Sequence, residues 1–109
     1  MTALEPSVIE WRLPWHPIST DYARKAETEL HSEVCAGHVL FGRQVEAIGY
    51  RQDCDDVLFR VREAPVQFAV VHLTYQRESD PIWPATMIYD SIGSWIDQCM
   101  IPESDDFSL

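Results

Sequence analysis

Basic residues are scarce in this chain. Among 109 residues, eight Lys and Arg stand against eighteen Asp and Glu, a formal charge of −10 with histidine neutral. A field of that sign repels phosphate backbones and anionic lipid, so binding of nucleic acid or membrane through a broad basic surface is excluded. Long apolar runs are missing too: no stretch approaches the roughly 18 residues of a membrane-spanning helix. The start, Met1-Thr2-Ala3-Leu4-Glu5-Pro6, lacks the basic and apolar stretches of a secretory signal. The four glycines, Gly37, Gly42, Gly49 and Gly93, are never adjacent. No P-loop, GxGxxG or GxSxG motif is present.

Cysteine is equally sparse. Cys35, Cys54 and Cys99 form no CxxC pair, and an odd number cannot close into a full set of disulfides. Reduced thiols and a cytoplasmic location are expected. Cys35 and Cys99 are expected on apolar helix faces as small hydrophobes. Cys54 sits among Asp53, Asp55 and Asp56, whose charges disfavour a thiolate, so no cysteine reads as a nucleophile. The histidines, His16, His31, His38 and His72, contain no HxxxH or HExxH. No metal and no cofactor are expected.

What is present supports a packed core. Hydrophobic residues make up 46% of the chain, and the length suits a single domain. Residues 1–18 hold Pro6, Pro14 and Pro17 with Trp11 and Trp15, and predict an extended arm lying on the domain. Ser19, Thr20 and Asp21 offer N-cap oxygens to a helix over 22–34, with Tyr22, Ala26, Leu30 and Val34 as its apolar stripe. Glu33 falls off that stripe, and Gly37 is placed to end the helix. The period then changes to two. A long strand is predicted over 39–51 with a bulge at Gly42, a second over 57–62 and a third over 66–75. A short fourth strand over 86–89 and a helix bearing Ile92, Trp95, Ile96, Cys99 and Met100 follow. Pro102 is expected to stop that helix and leave 102–109 as an acidic flexible tail.

The fold class is therefore α+β: a helix, a three- to four-stranded antiparallel meander and a C-terminal helix, with both helices on one face of the sheet. Residues 19–101 form the single domain. Pairing Val61 with Phe68 through an even-length loop places Arg60, Arg62 and Gln67 on the second face with Ala69, Val71, Leu73 and Tyr75. Glu46 is expected to reach Arg60 across the strands.

Few residues suggest chemistry. His72, in a strand that reads as buried, is either a general base oriented by Asp90 or a hydrogen-bonded histidine at the core edge. Arg60, Arg62, His72 and Tyr75 form the candidate pocket. The turn with Asp53, Asp55 and Asp56 lacks the glycine and spacing of a calcium loop. It reads as a solvated turn or as an acidic patch for a basic partner. Trp83, held between Pro81 and Pro84, is either an anchor for that partner or a loop tryptophan folded onto the sheet.

The run Phe68-Ala69-Val70-Val71-His72-Leu73-Thr74-Tyr75, continued by Pro81-Ile82-Trp83-Pro84-Ala85-Thr86, Tyr89-Asp90-Ser91 and Trp95, resembles a group of small bacterial proteins of unassigned function. They are alike in a VVHLT strand followed by PxWPxT. The resemblance covers roughly residues 36–100. It implies a bacterial cytoplasmic protein with one compact α+β domain, and carries over no catalytic residue.

Three functions are compatible with these features. The first is a non-catalytic acidic module that neutralises a basic partner, as immunity proteins do with toxins, through Asp53, Asp55, Asp56 and Trp83. The second is a small enzyme or ligand-binding protein using the pocket around His72. The third is a homo-oligomeric structural protein, such as a homodimer, paired through an exposed sheet face containing Val71, Leu73 and Tyr75.

Overall fold

The computed structural model describes residues 9–63 and 65–107. The first eight residues of the predicted arm, Ala64 of the 63–65 connection and the last two residues of the tail lie outside the described residues. A three-residue strand, β1 (Trp15–Pro17), comes first. Ser19 is extended and its Oγ accepts the Tyr22 N–H at 3.2 Å. This satisfies a free donor at the start of α1 (Thr20–Glu33). The buried positions of α1 are Ala26, Leu30 and Glu33, so the core-facing stripe runs i, i+4, i+7 and takes in a glutamate expected to lie off it. Val34 turns extended and ends the helix. Gly37, at φ +96°, lies in the following turn and not at the helix end, and Cys35 is outside the helix.

The strands β2 (Val45–Arg51), β3 (Asp56–Val61), β4 (Gln67–His72) and β5 (Thr86–Tyr89) complete an antiparallel sheet in the order β1-β2-β3-β4-β5. The α+β class holds. The sheet has five strands and not three or four, because the proline-rich arm supplies β1. The predicted 39–51 strand begins only at Val45, after turns in which Gly42 takes φ +73°. The bulge falls instead between Ala47 and Gly49.

Two further expectations are corrected. Val61 pairs with Gln67 and Arg60 with Phe68, so the loop is 62–66, odd in length. A slip of one residue turns every side chain of a strand to the other face. Ala69, Val71 and Leu73 thus join Val57, Phe59 and Val61 under Ala26 and Leu30 of α1. The opposite face carries Ile48, Leu58 and Phe68, covered by Trp15, Ile92, Trp95, Cys99 and Met100. The helices therefore lie on opposite faces and not on one, because both faces of the sheet are apolar and each requires cover. Each fully buried aliphatic or aromatic side chain in these layers contributes about 1.5–3 kcal/mol of transfer free energy.

The C-terminal helical run consists of α2 (Ile92–Trp95), a π-helical segment (Ile96–Met100) and α3 (Ile101–Phe107). Ser91 caps it by accepting the Ser94 N–H at 3.0 Å. Pro102 does not stop the helix. A proline ring clashes with the carbonyl four residues back, and the wider π turn preceding it, in which the Ile101 N–H reaches Ile96 O, gives it room. Residues up to Phe107 are helical, and Glu103 Oε1 accepts the Trp15 indole N–H at 2.8 Å and meets Arg51 Nη1 at 3.0 Å. Those bonds fasten α3 to β1 and β2.

Candidate functional site

β3 begins, β4 ends and β5 begins at one end of the sheet. Asp56 and His72 are direct cross-strand partners there, and the His72 Nδ1 to Asp56 Oδ1 distance is 2.7 Å. The ladder holds both backbones in place. The Leu73 N–H donates to Asp55 O at 3.1 Å and the His72 N–H to Ala85 O at 3.0 Å. The preceding turn brings in Cys54. Its sulfur, one Asp56 carboxylate oxygen and one His72 ring nitrogen all lie within 4.8 Å of one another. Partial desolvation pushes the Cys54 thiol above its usual range; the Asp56 and Asp53 charges push the same way, while the Asp56 backbone N–H and Arg51 oppose them. The thiol stays protonated at neutral pH, and neither of the two cavities described below is lined by Cys54, Asp56 or His72. A nucleophilic role is unsupported.

Phenols gather on the other face of the same end. Tyr22 and Tyr50 meet edge to face at 5.2 Å between ring centres, and His16 stacks on Tyr50 at 5.5 Å. The exposed Tyr75 hydroxyl lies near that of Tyr22, close enough for each to bear on the other's ionisation. Desolvation, reinforced by the nearby Asp55 charge, raises the Tyr22 hydroxyl and pushes Tyr75 up to about 12, so both are neutral phenols. Tyr75 sits at φ 58°, a left-handed conformation rare for any residue but glycine. Glu33 holds it there. The fully buried Glu33 carboxylate accepts the Thr74 N–H at 2.9 Å, the Tyr75 N–H at 2.8 Å and the Thr74 hydroxyl at 3.0 Å. Glu29, one turn back, shares a hydrogen bond with Glu33, which together with desolvation pushes its carboxyl up to about 7.

The predicted site residues divide between places. Asp53 forms a two-point pair with Arg51, at 2.6 and 3.1 Å, which holds its carboxyl below the usual range. Asp55 is exposed and makes no ion pair among the described residues. Trp83 is half-exposed in the β4–β5 loop, at the same end of the sheet. That loop is fastened where the His38 ring nitrogen meets Pro84 O at 2.9 Å.

The pocket of Arg60, Arg62, His72 and Tyr75 is not formed. Arg60 reaches Glu46 at 3.9 Å, as expected, and lines a cavity of about 440 Å³ with Phe68 and Asp90. Arg62 lines a separate cleft of about 830 Å³ between α1 and β2, with Trp11, Arg24 and Glu27. His72 stands four positions along β4 from Phe68, the partner of Arg60, or ~13 Å at strand rise. Asp90 is therefore not its orienting carboxylate, and the His72 side chain is 55% exposed and not at the core edge. The surface invoked for homo-oligomers is also absent, because Val71 and Leu73 are fully buried.

Two features escaped sequence reading. The Asp56–His72 pairing is invisible until the strand register is known. Glu33 was detectable, since it continues the Ala26–Leu30 spacing. No helix of the described residues is long and apolar enough to cross a membrane. No protein-family model, curated protein or solved structure matches this chain.

Proposed function

We propose that the protein is a non-catalytic binding module for a cationic partner, received at the sheet end that carries the acidic turn. The observation supporting this most directly is the group of Tyr22, Tyr50 and Tyr75 near Asp55, which makes no ion pair among the described residues. An arginine or lysine side chain entering there meets aromatic faces and a carboxylate together, a combination that favours cations over neutral groups. Asp53 and Asp56 add negative potential, and Trp83 offers a half-exposed apolar anchor at the same end. A charge of −10 over the chain speeds encounter with a basic protein, a toxin neutralised by this chain being one such case.

An arginine-rich peptide titrated into isotopically labelled protein tests this reading. Shifts are expected at Tyr22, Asp55, Tyr75 and Trp83, with affinity falling as salt rises. Asp55→Asn combined with Tyr75→Ala weakens binding by roughly tenfold, about 1.4 kcal/mol. Asp97→Asn, which removes the same charge from the π-helical segment, leaves it nearly unchanged. Equal losses in both variants, or shifts spread evenly over every acidic surface, would mean that no defined site exists.

A further inference from the structure

The Cys54–Asp56–His72 cluster lies at the same end of the sheet as the phenols but on its other face, and its donor atoms point to a different ligand. We propose that these three side chains form a site for a divalent transition metal of the Zn²⁺ type, with a fourth position open to water. The donor set selects the metal class. A thiol sulfur, an imidazole nitrogen and a carboxylate oxygen are the three donors that zinc takes, whereas magnesium and calcium need oxygen throughout.

Geometry supports the assignment. With bonds of about 2.0–2.3 Å, donors around a tetrahedral zinc ion stand roughly 3.3–3.8 Å apart. Here all three donor atoms already lie within 4.8 Å of one another. The Asp56–His72 pair is closer than that spacing, at 2.7 Å, because a proton lies between the two groups and the metal would replace it. The remaining adjustment falls on Cys54, which sits in an exposed turn and can move by an ångström without disturbing the core. Asp56 and His72 need not move their backbones. They are opposed in the ladder, with further hydrogen bonds at Asp55 and Ala85 on either side.

An outer contact suits the role as well. Arg51 engages both oxygens of Asp53, which keeps that carboxylate from filling the open position. That position can take a water molecule or a donor from another molecule.

Cobalt(II) titration of the reduced, full-length chain is the test. The expected result is one Co²⁺ per chain, with a sulfur-to-cobalt charge-transfer band and the intense visible bands of tetrahedral cobalt, both erased by added Zn²⁺. Cys54→Ser removes the charge-transfer band, and His72→Gln and Asp56→Asn each weaken binding by at least tenfold. Cys35→Ser leaves spectrum and stoichiometry unchanged. Far-ultraviolet circular dichroism of each variant separates lost ligation from lost folding, and the exposed positions of Cys54 and His72 make folding the expected outcome. A wild-type chain that develops no cobalt spectrum overturns the proposal. So does a charge-transfer band that survives Cys54→Ser, since another cysteine would then be the ligand.

Discussion

Glu33 organises more of this end of the molecule than any other side chain. Its carboxylate is fully buried and accepts three hydrogen bonds from Thr74 and Tyr75. Bonds to a charged acceptor contribute about 1.5–3 kcal/mol each. They hold Tyr75 in its left-handed conformation and so set the position of its ring beside Tyr22. Glu29 carries the pH consequence. Its carboxyl is raised from an ordinary value near 4.5 to about 7, so its stabilising contribution is complete below about 4.5 and is lost as pH rises through about 7. The urea midpoint should therefore fall as pH is raised from about 5 to about 8, and Glu29→Gln should remove that part of the slope. A variant with the same slope as the wild type would place the titration elsewhere. At this scale the sequence was half legible. The acidic turn and His72 could be singled out from composition and position. Their pairing could not, because Asp56 and His72 are sixteen residues apart and meet only through the ladder.

Among the elements, β1 and the π-helical segment are the two that local reasoning missed, and both involve proline. Pro14 precedes β1 and Pro17 is its last residue; β1 pairs with β2 at the sheet edge, where a strand can dispense with some N–H donors. Its packing depends on Gly49. A Cβ at that position would stand 2.5 Å from two atoms of the Trp11 ring and 3.2 Å from His16 O. Trp11 is itself held edge to face against Trp95 at 5.9 Å, so the ring has little freedom to withdraw. Gly49→Ala should cost about 1–3 kcal/mol, read as a lower thermal midpoint. Gly42→Ala meets no neighbouring atom within 4 Å and bears only on its φ of +73°. An unaltered midpoint for Gly49→Ala would show that β1 and Trp11 do not pack as described. Helix α1 was readable in advance, since its cap and its spacing are local properties. The π turn was not, because it depends on how Ile96, Cys99 and Met100 meet the sheet ahead of Pro102.

The whole molecule is a sheet covered on both faces and carrying a large negative charge. Mutual repulsion among eighteen acidic groups opposes compaction, and the arginine pairs that offset it, Arg43–Glu63, Arg51–Asp53, Arg51–Glu103 and Arg60–Glu46 among them, lie at partly exposed positions. Exposed pairs of this kind contribute little, so screening should relieve more repulsion than it removes attraction. The thermal midpoint is expected to rise as sodium chloride is raised from about 0.02 to about 0.5 M. A falling midpoint would mean that the arginine pairs outweigh the repulsion.

Composition and periodicity, taken alone, determined the α+β class, the charge, the position of α1 and the start of the C-terminal helix, though not its end. These follow from patterns within a few turns of chain. Tertiary structure decided the register of β4 against β3, which face each helix covers, and the meeting of Cys54, Asp56 and His72. The physical reason is the two-residue period of a strand: one added residue in the 62–66 loop reverses every side chain beyond it. Where both faces are apolar, hydrophobic patterning cannot choose between the two registers, and only simultaneous packing of α1 and the C-terminal helix does so.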